Sequence, residues 1–102
     1  MIVVLTTMPD FKSAGKLADG LVRKKIAACV SVLKGAVSVY RWKGKVRQAR
    51  ESLVAIKTSQ TKWKALQEFI LDQHPYELPE LMVLPVKTGS KKYLDWVENL
   101  GL

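Results

Sequence analysis

Two long extended stretches, Ala28 to Trp42 and Lys45 to Thr58, stand on either side of Lys43-Gly44. In the first, Val37, Val39 and Arg41 alternate with Ser38, Tyr40 and Trp42, which is the two-residue period of a strand. Lys43-Gly44 reads as the turn of a hairpin, and Gly35 marks a bulge or bend. The second stretch is apolar only in its later part, Leu53 to Ile56. Strands usually run about five or six residues, and a lone two-stranded ribbon is marginal in water. The far end of this ribbon nevertheless carries Tyr40 and Trp42, whose rings need cover. The expected cover is another copy of the chain, with Tyr40 and Trp42 at the interface of a closed, symmetric assembly.

The other elements fall around this pair. Ile2 to Leu5 are apolar without alternation, as in a strand buried on both faces, and Thr6-Thr7-Met8-Pro9-Asp10 then reads as a turn. Asp10 can cap a helix in which Ala14, Leu17, Ala18, Leu21 and Val22 recur at helical spacing up to about Lys25. Thr61 opens a second helix with Trp63, Leu66, Phe69 and Ile70 on one stripe. Leu81 to Val86 reads as a fourth buried strand, and Ser90 caps a last helix carrying Tyr93, Leu94, Trp96 and Val97. The order is strand, helix, strand, strand, helix, strand, then an extra C-terminal helix. That is the α+β, ferredoxin-like split βαβ plan, an antiparallel sheet with helices on one face, in a single domain over residues 1–102.

Composition removes several function classes. The 102 residues are 48% apolar and 25% charged, as in a soluble folded domain, and no apolar run approaches the roughly 20 residues that span a bilayer. Met1 to Leu5 lacks a basic leader and reads as a first strand rather than a signal peptide. Cys29 is the single cysteine, so no internal disulfide and no multi-thiolate zinc site can form, and a reducing cytoplasm is the expected location. The net charge is +8, and Arg41, Lys43, Lys45, Arg47 and Arg50 concentrate part of it near the hairpin turn without an intervening acid. An RNA-binding module of this fold stacks bases on aromatics in its central strands, but Lys45 to Arg50 holds none, so no nucleic-acid partner is expected. Acid–base catalysis needs a paired constellation. One histidine and scattered carboxylates such as Glu51 and Glu77 do not supply it, so the chain does not read as an enzyme.

The remaining informative segment is His74-Pro75-Tyr76-Glu77-Leu78-Pro79-Glu80. Its prolines end the preceding helix and stiffen a loop that presents an imidazole, a phenol and two carboxylates. His74 is the candidate metal ligand or neutral-pH titrant. Cys29, beside Ala27 and Ala28, is a second candidate, although a free cysteine more often packs as a small hydrophobe.

Taken together, Thr7-Met8-Pro9-Asp10, Lys25 to Cys29, Tyr40 to Lys45, Ile56-Lys57-Thr58, His74 to Glu80 and Tyr93 to Trp96 resemble the CutA divalent-cation tolerance family, in order and nearly end to end. The resemblance implies a trimer related in architecture to PII signalling proteins, a role in tolerance to divalent metals, copper especially, and no established catalysis. A cleft is expected to orient a small ligand with Tyr40, Lys57, Tyr76, Glu77 and Tyr93. The copper-binding bacterial members of that family carry a cysteine where this chain has Thr6 and two histidines where it has Gln73-His74. Copper prefers several nitrogen or sulfur donors. Copper or another divalent cation is therefore expected to bind weakly, through His74. The basic hairpin, where that family carries acids, suggests an alternative: a PII-like regulatory trimer that has lost metal binding and takes a small anionic ligand or a protein partner.

Overall fold

The turn at Lys43-Gly44 has φ of 51° and 78°, the two left-handed residues of a type I′ hairpin, whose twist matches that of the flanking strands. It joins two strands of 14 residues, β2 (Cys29–Trp42) and β3 (Lys45–Thr58), in the computed structural model, which describes all residues from Met1 to Leu102. Around them the chain forms β1 (Ile2–Met8), α1 (Phe11–Arg23), α2 (Trp63–Gln73), β4 (Met82–Pro85) and α3 (Lys91–Glu98), with one 3-10 turn, Gln60–Lys62, ahead of α2. The four strands make one fully antiparallel sheet in the order β2-β3-β1-β4, which is the ferredoxin-like arrangement read from the sequence.

Local chemistry sets the ends of the helices. Asp10 Oδ1 accepts from the Ser13 amide at 2.7 Å and starts α1. Ser59, rather than Thr61, caps the 3-10 turn, and Ser90 Oγ receives the Tyr93 amide at the head of α3. Strand alternation then places Ile2, Val4, Met8, Val54 and Ile56 on the sheet face against which Ala14, Leu17 and Leu21 of α1 and Leu66 and Ile70 of α2 pack as one core. Gly20 lies so close to Phe69 that a Cβ there would meet the ring at 3.0 Å, which brings the two helices together.

Three expectations change. The first strand runs on through Thr6 and Thr7 to Met8, because those residues pair with Val54, Leu53 and Ser52 of β3, and only Pro9-Asp10 remains as a turn. Neither β1 nor β4 is buried on both faces. Val3 and Leu5 are half-buried, while Met82 and Leu84 of the edge strand β4 are 49% and 44% exposed. With Leu33 of β2, at 53%, they form an apolar sheet face that no helix of the same chain covers. In α3 only Val97 is buried, and Tyr93 and Trp96 stack on each other at the surface.

The hairpin projects as an arm. The chain measures 45 × 26 × 23 Å with a radius of gyration of 14.2 Å, against about 13 Å for a compact domain of this length. Gly35 (φ 84°) sits at the root of the arm, where the β2–β3 register slips between Leu33 and Ala36. From Ala36↔Glu51 to Trp42↔Lys45 the pairing is then regular to the tip.

A candidate cleft between the hairpin arm and the His74–Glu80 loop

The bulge at Gly35 decides which side chains enter the site. Before it, Cys29, Ser31 and Leu33 lie opposite Lys57, Ala55 and Leu53 on the uncovered sheet face. After the extra residue the parity inverts, so Ser38 and Tyr40 stand opposite Ala49 and Arg47 on that same face. Val37, Val39 and Arg41, opposite Arg50, Gln48 and Val46, take the other one. The basic cluster of the hairpin is therefore not one patch. Arg47 and Lys45 lie on the cleft side, Arg41 and Arg50 on the reverse.

The loop after α2 closes over this face. His74 caps α2 in extended conformation, its amide still bonded to Ile70 at 2.8 Å, and Pro75 carries the chain away. His74 then fixes the loop with its ring. The Tyr76 amide donates to Nδ1 at 3.2 Å, so Nδ1 bears no proton, and Nε2–H donates to the Thr7 carbonyl at 2.7 Å. Both ring nitrogens are thereby occupied in the neutral imidazole. The ring also lies 4.9 Å from that of Tyr76.

Tyr76 in turn donates its hydroxyl to Glu51 Oε2 at 2.7 Å. Burial alone would raise the Glu51 carboxyl, but hydrogen bonds from Ser38, Tyr76 and Thr7 together outweigh it and hold the group below its ordinary value. The Tyr76 phenol moves the opposite way, pushed well up by burial and then by its bond to the Glu51 carboxylate. Strand, arm and loop are thus tied through one carboxylate.

What results is a cleft of about 790 Å³ between arm and loop. Tyr40 and Trp42 form the arm side, with Arg47 between them and Glu51. Tyr76, Glu77 and Glu80 form the loop side. Of the expected cleft residues, Tyr40, Tyr76 and Glu77 meet here, and Trp42, expected at an interface, joins them. Lys57 and Tyr93 do not. Lys57 lies near the other end of β3, where its ammonium donates to Ser31 Oγ and stands 3.8 Å from Cys29 Sγ, and Tyr93 stacks on Trp96 in α3. Cys29 and His74 are separated as well. Cys29 pairs with Lys57 and His74 contacts Thr7, opposite Leu53, four β3 residues away, or roughly 13 Å of strand.

Glu51, Ser38, Thr7 and Arg47 are cleft residues that sequence reasoning did not assign. The only signal for them was register: once β1 and β3 pair with Met8 opposite Ser52, Glu51 must fall beside the end of β1. Thr6 faces the opposite way, into the core, fully buried with its hydroxyl unpartnered.

A model of the family described as "CutA1 divalent ion tolerance protein" matches residues 2–100. The chain is 47% identical over 96 residues to the divalent-cation tolerance protein CutA of Yersinia pestis, covering 94% of this chain and 81% of that protein. It is 44% identical over 98 residues to the chloroplastic protein CutA of Arabidopsis thaliana, covering 96% of this chain, and it spans about half (54%) of that longer relative. Among solved structures it superposes on the divalent cation tolerance protein of Thermus thermophilus with a TM-score of 0.93 at 39% identity, over 97% of both chains. It also superposes on the PII-like protein CutA from Nostoc sp. PCC 7120 with a TM-score of 0.91 at 33% identity, over 98% of this chain and 96% of that one. With the family model, the sequence identity and the superposition each extending over almost its whole length, the chain belongs to the CutA1 divalent ion tolerance protein family.

Proposed function

We propose that the protein acts as a cytoplasmic homotrimer in the response to divalent metal ions, copper among them, and that it does so by binding a ligand or signalling to a partner rather than by catalysis. The observation that carries this reading is the cleft, a built concavity with three aromatic rings and a hydrogen-bonded carboxylate at its root. Its two coupled groups are set for binding. A carboxylate held below its ordinary pKa and a phenol held above its own are both fixed in one protonation state near neutrality, the reverse of what proton transfer needs. Support for the assembly comes from the uncovered apolar face of Leu33, Met82 and Leu84 beside a projecting arm. The bacterial relatives named for divalent-cation tolerance support the metal connection.

A second reading, a PII-like regulatory trimer with metal binding lost, is favoured by His74. A metal on that ring would have to displace either the Tyr76 amide or the Thr7 carbonyl. Calorimetric titration of the purified protein with copper and zinc, beside His74→Ala, separates the two. Micromolar or weaker binding that disappears in the variant supports direct metal sensing. Binding that is absent from the wild type supports the second reading. Tight copper binding that His74→Ala leaves unchanged overturns both accounts of His74.

A further inference from the structure

A second group of basic residues gathers at the end of the chain opposite the arm. There α1 runs out into Arg23, Lys24 and Lys25, and α2 starts with Lys62 and Lys64. Thr58 Oγ1 donates to the Ile26 carbonyl at 2.7 Å and Gly20 packs on Phe69, so the two helix ends meet at one corner. The helices cover the sheet face opposite Leu33, Met82 and Leu84. The corner therefore lies clear of the arm and of the face expected to meet another copy.

Its charge is not cancelled locally. Asp19 and Glu68 are the acids on the adjoining turns, and Arg23 holds Asp19 at 2.8 Å. Glu98 reaches Ser59, but the Met1 ammonium pairs with it. Lys24, Lys25, Lys62 and Lys64 form no ion pair. Folding does not ask for lysine at these positions. Lys25 has φ of 59°, which glycine adopts without the clash a Cβ meets. Lys62 and Lys64 stand at the start of α2, where the helix dipole favours acids and none is present. Like charges so close also repel one another in the free chain. An anionic partner relieves that repulsion.

The side chains select the kind of anion. Guanidinium forks suit carboxylates, and the one arginine here is engaged by Asp19, whereas lysine ammoniums act as hydrated point charges on flexible stems. No ring is free to stack a base: Trp63 and Phe69 pack on the core, and the Lys24 ammonium lies 5.9 Å from the centre of the Phe69 ring. Val22, 42% exposed in the last turn of α1, adds an aliphatic surface beside the lysine stems. Point charges around an aliphatic side chain suit a plane of phosphate headgroups.

We propose that this corner docks the protein on the surface of an anionic phospholipid bilayer, with Lys24, Lys25, Lys62 and Lys64 on the headgroup phosphates. The contact is peripheral, since no helix of the chain is long and apolar enough to cross a membrane. It involves neither the cleft nor any metal.

The test is co-sedimentation of the full chain with vesicles of phosphatidylcholine and phosphatidylglycerol in equal parts, against vesicles of phosphatidylcholine alone. Binding should need the anionic lipid and weaken as salt is raised. Each lysine near such a surface strengthens binding about fivefold, so Lys24→Gln with Lys62→Gln should weaken it about twenty-fivefold. Lys12→Gln with Lys16→Gln removes the same charge from the other end of α1 and should change it far less. Lys25→Gly should raise the melting temperature yet weaken vesicle binding, opposite signs that separate folding from docking. Equal sedimentation with neutral vesicles, or equal losses in the two double variants, overturns the proposal. Release from vesicles by a short DNA duplex of equal total charge also overturns it, and assigns the corner to nucleic acid instead.

Discussion

Thr6 shows how a single residue can carry a cost without a visible contact. Its hydroxyl is fully buried on the core side of β1 and finds no partner. Leaving such a group unpaired costs about 1–3 kcal/mol. Valine has nearly the same shape and no polar atom, so Thr6→Val should raise stability by about 1 kcal/mol in denaturant unfolding at fixed protein concentration. A loss of stability would mean that the hydroxyl has a partner after all. The Glu51–Tyr76 pair gives a residue-scale prediction in pH. Glu51 titrates below its ordinary 4.5 when folded, so the stability it adds is complete above that pH and is lost as the pH falls through the lowered value. Tyr76 titrates above its ordinary 10.0, so its contribution is complete below that pH and is lost as the pH rises towards the raised value. Tyr76→Phe should therefore flatten the alkaline side of the stability curve and soften the acid side, since it also removes a bond to the carboxylate. Urea midpoints measured across the pH range check both limbs. None of this was legible in one dimension. His74, Tyr76 and Glu77 stand together in the sequence, but Glu51 reaches them only through the register of β1 on β3.

Among the elements, the hairpin was read almost to the residue and the edge strand was not. The alternation from Val37 to Trp42 and the Lys43-Gly44 turn carry local information that survives folding, because a type I′ turn demands left-handed residues. The burial of β4 depends on what lies against it, which a hydrophobic run such as Leu81 to Val86 cannot specify. The same limit hid the split of the basic cluster, because one extra residue at Gly35 exchanges the faces of everything up to Trp42. Backbone requirements yield a prediction at this scale. A side chain at Gly44, where φ is 78°, meets the left-handed penalty of about 1–2 kcal/mol, so Gly44→Ala should destabilise the arm by about that amount. Lys43→Asn, at φ 51°, should stabilise it slightly, because asparagine tolerates that region better. Thermal unfolding of both variants, compared at equal concentration, is the check, and melting temperatures equal to that of the wild type would refute this account of the turn.

For the molecule as a whole, the expectation concerns assembly. A homotrimer should scatter light with three times the 11.5 kDa chain mass at micromolar concentration. A specific interface buries upwards of about 1,000 Å². Leu33→Asp with Leu84→Asp places two charges on the uncovered sheet face and should shift the mass towards the monomer while leaving far-ultraviolet circular dichroism intact. A trimer indifferent to both changes would move the interface elsewhere. The arm has a further consequence. Its seven residue pairs beyond the bulge reach about 20 Å, close to the 23 Å thickness of the body. Each subunit of such an assembly would be held by its own grip on one neighbour and by another neighbour's grip on it, so none could depart until both had let go. The arm would then govern time more than affinity: mixed isotope-labelled and unlabelled trimers should exchange subunits slowly, and shortening the arm should quicken the exchange before it alters the mass.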